Sequence, residues 1–130
     1  MGPSGDCGVL RVAGEVDVYS ASALRERTLD LVAAGAVHIV IDLGGVTFID
    51  SSGLGVLVGC LKRLREHDGS LTLVIDADRV LRVFEITGLT KVFPPHPSVA
   101  EAITDHAHWR ETVEAESGSV QAWCRQHGLA

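Results

Sequence analysis

Long apolar runs are missing from this chain. No stretch of its 130 residues approaches the ~18 consecutive apolar positions that a membrane-crossing helix needs. Yet 46% of the residues are hydrophobic, enough to build the core of one domain. A basic excess is missing too. The net charge is −6, which argues against direct nucleic-acid binding, since that draws on clustered Lys and Arg. The opening Met-Gly-Pro-Ser-Gly-Asp has neither the basic nor the apolar region of a secretory leader, so a cytoplasmic location is expected. Cys7, Cys60 and Cys124 are odd in number and form no C-x-x-C, which fits a reducing compartment rather than a disulfide scaffold. No internal repeat is evident.

Catalytic signatures are absent as well. There is no G-x-S-x-G elbow and no G-K-[ST] of a phosphate-binding loop. The histidines fall at a strand start (His38), a helix end (His67) or in the C-terminal third, so no base is placed to activate a serine. Asp105, His106 and His108 beside Trp109 have the look of a metal site, and Asp105 and His108 could share a helix face. Without a fourth ligand they read as a solvated face. The expectation is a non-enzyme with no metal and no cofactor.

What the chain does have is a strongly apolar segment over residues 37–49, closed by Asp50-Ser51-Ser52-Gly53 and followed by a helical pattern to about Asp68. That order reads as strand, tight turn, helix N-terminus. Asp50 or Ser51 can cap the helix, leaving the other serine in the first turn among backbone N–H groups without helical partners. At ~100° per residue, Leu54, Leu57, Val58, Leu61 and Leu64 share the core face, while Ser52 aligns with Gly55, Val56, Gly59 and Arg63 on the opposite one. Glycine in a helix costs about 0.8–1.0 kcal/mol relative to alanine. Two on the solvent side point to close approach by another molecule's backbone.

The remaining pattern alternates strands with helices, which implies an α/β domain with a mostly parallel sheet. Strands are expected at Cys7–Val16, within residues 37–49, at residues 71–75 and, briefly, at Lys91-Val92-Phe93. Helices are expected after Ser20 or Ser22 up to Gly35, after Ser51, after Asp76 or Asp78 up to Gly88 (with Val80, Leu81, Val83, Phe84 and Ile86 as packing residues), and from the capping box Ser98-Val99-Ala100-Glu101. In the tail, residues 120–125 can form a short amphipathic helix, with Trp123 and Cys124 packing rather than doing redox chemistry. The expected division is a domain over residues 7–106 and an extension over 107–130.

Taken with Gly14-Glu15-Val16-Asp17 upstream and residues 86–93 (Ile-Thr-Gly-Leu-Thr-Lys-Val-Phe) downstream, the Thr47-to-Gly55 stretch resembles the STAS-domain anti-sigma factor antagonists of bacteria. It is most similar to the small single-domain, serine-phosphorylated type, over roughly residues 9–103. The resemblance implies a STAS-like fold of about four strands and about four helices, plus a helical extension. It also implies partner switching: the unphosphorylated protein binds an anti-sigma factor with serine kinase activity, which supplies the ATP. Phosphorylation then releases it, and a PP2C-type phosphatase resets it. The accepting serine implied is the second of the pair, Ser52, with Ser51 the near alternative. The resemblance suggests Asp17, Thr47, Asp50 and Ser51 as supporting residues for partner recognition or site geometry; with Gly53 and the helix strip of Gly55, Val56, Gly59 and Arg63 they make up the expected partner surface. Asp17 and Asp50 also read as local caps, and Thr47 as an ordinary β-branched strand residue. The alternative function is a STAS subunit of a larger assembly, such as a lipid-transport ATPase complex, docking without phosphorylation. Two departures stand out. Few residues precede Cys7–Val16, where the family has a further strand, so either that edge strand is short or missing, or the tail or a second copy in a homodimer covers the edge; and the tail itself runs past the family's usual end.

Overall fold

The computed structural model describes residues 5–129. Three parallel strands, β1 (Cys7–Val16), β2 (His38–Ile49) and β3 (Ser70–Val74), form one sheet in the order β1-β2-β3. Consecutive parallel strands need crossovers, and crossovers of one hand place their helices on one side. Helices α1 (Ala21–Ala33) and α2 (Ser51–Glu66) supply them, and α3 (Asp78–Ile86) follows β3. These three cover one face, packing Leu24, Leu57, Leu61, Leu64, Val80 and Phe84 against Ile39, Ile41, Leu43, Leu71 and Leu73 of the sheet.

The other face carries a second, separate core. Cys7 and Val9 of β1, Val40 of β2 and Val74 of β3 point to this side, because side chains alternate along a strand. They meet α4 (Val99–Thr104), α5 (Ala107–Ser117) and α6 (Val120–Gln126). Two fully buried tryptophans, Trp109 and Trp123, meet edge to face at 5.5 Å in this layer. The extension beyond residue 106 is therefore ordered structure. It covers a face of the sheet rather than its edge, and β1 remains an edge strand among the described residues. Arg11 of β1 holds the end of the tail by donating from Nη1 to the Gly128 carbonyl at 3.1 Å.

Four local expectations change. Lys91-Val92-Phe93 is not a strand: Leu89–Lys91 is a 3-10 turn, entered through Gly88 at φ +74° and closed by the Phe93 N–H on the Leu89 carbonyl at 2.7 Å. Phe93 then packs edge to face on Phe84 instead of joining the sheet. Ile86, expected in the core, is 78% exposed because α3 turns it past the contact made by Val80 and Phe84. Neither Asp76 nor Asp78 caps α3; Ala77 is the N-cap residue and Asp78 lies in the first turn. Asp105 and His108 share no helix face, since α4 ends at Thr104 and α5 begins at Ala107. No helix among the described residues is long and apolar enough to cross a membrane.

Candidate functional site

Asp50 sets the geometry of the serine turn. Its backbone N–H donates to Val16 at the end of β1, and its carboxylate accepts from Ser52 N at 2.9 Å and Gly53 N at 3.3 Å. Two donors that the helix leaves unpartnered are thereby satisfied. We expect Asp50→Ala to cost about 0.5–2 kcal/mol of unfolding free energy in a denaturant titration, with the slope against denaturant unchanged.

Ser51 is exposed and Ser52 is half-buried, and neither hydroxyl makes a hydrogen bond among the described residues. Ser52 faces a groove of about 480 Å³ between α1 and α2, together with Gly55, Val56, Gly59 and Arg63. The expected strip is thus assembled, with Arg25 and Leu29 of α1 as its opposite wall. A Cβ built at Gly55 or Gly59 meets nothing within 4 Å, so no contact among the described residues requires those glycines. The groove is also locally cationic: Arg25, Lys62 and Arg63 line it against one acid, Glu66.

Gly53 does not belong to that surface. It is buried, and a Cβ there would lie 2.7 Å from Val16 Cγ1 and 2.8 Å from Ile49 Cγ1. Its smallness seats α2 on the strand ends and leaves it no contact for a partner. Asp17 is occupied locally: its carboxylate accepts from the N–H of Tyr19 at 2.9 Å and of Ser20 at 3.1 Å, organising the entry to α1. Those bonds, the one from Ser20 foremost, hold its carboxyl below the ordinary range, so their support is lost only as pH falls through that lowered value.

Thr47 is exposed, and so is Phe48 beside it. The register between β1 and β2 slips here, Gly14 pairing with Val46 and Glu15 with Phe48, so Thr47 is the extra residue of a bulge. Two consecutive side chains consequently face out while Val46 and Ile49 face in. Phe48, 45% exposed, joins Val18 at 63% and Tyr19 at 89% as uncovered apolar side chains at the C-terminal end of β1 and β2. Sequence reasoning missed these three. An aromatic directly before a cap serine, as in Tyr19-Ser20, was the available signal.

A larger hollow of about 570 Å³ lies between Arg11, Asp42, Asp76 and Leu129 and holds none of the residues expected at the serine site or the partner surface. Arg11 is already engaged there with Asp42 at 3.5 Å and with the tail. All three cysteines are buried free thiols, and burial raises each above its ordinary pKa, Cys7 to about 12, so none is a ready nucleophile.

A family profile described as STAS domain matches residues 3–102. Over 83 residues the chain is 45% identical to the anti-sigma-B factor antagonist of Bacillus subtilis, covering 64% of this chain and 75% of that one. It belongs to the STAS-domain family of anti-sigma factor antagonists. The corresponding Staphylococcus aureus protein is 41% identical over 80 residues, 62% of this chain and 74% of that one. Among solved structures, an anti-sigma factor antagonist from Mycobacterium paratuberculosis superposes with a TM-score of 0.68 at 33% identity, over 75% of this chain and 82% of that one. Like other antagonists of this family the chain is a regulator, not an enzyme, and an anti-sigma factor is its class of partner. The profile stops inside α4, so α5 and α6 lie wholly outside it.

Proposed function

We propose that this STAS domain antagonises an anti-sigma factor by partner switching controlled at Ser52, in the cytoplasm. The unmodified protein docks the groove between α1 and α2 on an anti-sigma factor that is also a serine kinase. That partner transfers the γ-phosphoryl group of its own ATP to the Ser52 hydroxyl and dissociates, and a PP2C-type phosphatase restores the serine. The observation that carries this reading is a serine hydroxyl with no hydrogen bond among the described residues, at the head of a glycine-floored groove in the first turn of α2.

The electrostatics agree. A groove edged by Arg25, Lys62 and Arg63 attracts an acidic partner surface even though the whole chain is net negative. A phosphoserine brings about −1.5 to −2 charges. The helix N-terminus favours that charge by about 0.3–1 kcal/mol, so the fold tolerates it. The partner does not, because the cationic groove is then neutralised and a bulky anion stands in the contact. The uncovered Val18, Tyr19 and Phe48 lie at the same end of the sheet as this turn, where they extend the contact with apolar area.

Incubation with the cognate kinase and ATP, followed by mass-spectrometric localisation, tests the assignment. One phosphate on Ser52 is expected, absent from Ser52→Ala. Phosphate found at neither Ser51 nor Ser52 rejects it.

A further inference from the structure

We propose that Asp6, His38 and His108 form a binding site for one divalent transition-metal ion of the zinc class. The register of the sheet brings the site together. Cys7, His38 and Ser70 are aligned across β1, β2 and β3, so His38 projects from the start of the sheet on the face that α5 covers. The first turn of α5 lays His108 over it, ring centroids 4.3 Å apart, and places His108 Nε2 2.6 Å from Asp6 Oδ1. One donor atom from each of the three residues lies within 4.8 Å of the others. Four-coordinate zinc at its usual bond lengths holds neighbouring ligand atoms about 3.3 Å apart. Asp6 and His108 can close that difference, because their side chains are 43% and 45% exposed and so free to shift.

The surrounding hydrogen bonds suit a ligating imidazole. His106 Nδ1 accepts from the Trp109 N–H at 3.3 Å, which places its own proton on Nε2, 3.0 Å from Ser70 Oγ. Ser70 Oγ has a second lone pair for a proton on His38 Nδ1, 2.8 Å away. In that tautomer His38 Nε2 is free to bind metal, with Ser70 and His106 fixing the ring from behind. The Asp6 carboxylate supplies negative charge at the otherwise positive end of α5. Two imidazoles and one carboxylate favour zinc, nickel, cobalt or iron over magnesium and calcium. Three protein ligands leave a position for water, and because the Asp6 and His108 side chains are partly exposed and must shift to bind, a low-micromolar affinity is expected. Helical spacing in the sequence could not reveal this set, because its members are brought together only by folding. Occupied, the ion ties the helices beyond residue 106 to the start of both β1 and β2.

Tag-free, chelator-stripped protein titrated with zinc against a chromophoric indicator tests the site. One equivalent should bind at low-micromolar Kd and raise the melting temperature. Asp6→Asn and His108→Gln should each weaken binding at least about tenfold and abolish the zinc-dependent rise. Both positions are on the surface, and circular dichroism confirms that the variants fold. His67→Gln, at the exposed end of α2, should bind as the parent does. Failure to bind one equivalent overturns the proposal, as does undiminished binding by folded Asp6→Asn and His108→Gln.

Discussion

Ser52→Asp is expected to lower affinity for the anti-sigma partner about a hundredfold, while Ser52→Ala retains it. A hundredfold corresponds to about 2.7 kcal/mol. A carboxylate closed into an interface without a matched cation costs several kcal/mol, so that loss lies within reach of one charge. The groove cations Arg25, Lys62 and Arg63 do not cancel the effect, since the acidic surface that the partner brings to them must then share them with the new anion. The same charge sits in the first turn of α2, where the helix dipole favours it, so thermal melting should barely move. Isothermal titration of both variants with the purified partner measures the difference. Equal affinities would exclude a charge-based switch.

Trp109→Ala should have the largest effect on the fold. Trp109 is fully buried in the layer formed by α4, α5 and α6, against Trp123. Truncating a buried tryptophan costs about 3–5 kcal/mol, against a total stability of roughly 5–15 kcal/mol for a domain. The melting temperature should therefore fall by roughly 10–20 °C. Trp109→Phe should lose much less. It keeps an aromatic ring, and it removes an indole N–H that is buried without an acceptor among the described residues, an arrangement that costs about 1–3 kcal/mol. Calorimetry on the two variants separates lost packing from the relief of that N–H. Equal melting points for Trp109→Ala and the parent would mean that the second layer is not coupled to the domain.

The strand, turn and helix around Ser52 were legible because each local signal agreed: a β-branched run, an acid that caps, and leucines at helical spacing. Gly53 was misread within the same motif, although it falls beside Leu64 on the helix wheel and so belongs to the buried side. Its neighbours Val16 and Ile49 come from two strands, and only the fold brings both against it. The bulge at Thr47 was hidden for a related reason, since a register slip is a property of a strand pair. Lys91-Val92-Phe93 has strand-like residues, but Gly88 and the bond from Phe93 to Leu89 wind the chain into a turn. The tail was the least legible part. Its two tryptophans signal burial without saying against what, and the answer is a sheet face built from Cys7, Val9, Val40 and Val74.

The two cores on opposite sides of one three-stranded sheet bear on how the protein can be handled in experiments. Leu129 packs against the layer of α4, α5 and α6, on the face of the sheet opposite α2 and the serine groove. A fluorophore or surface tether attached to that layer would leave the proposed docking side unobstructed. Association with an anti-sigma factor could then be followed on a sensor chip without the label competing for the proposed binding surface.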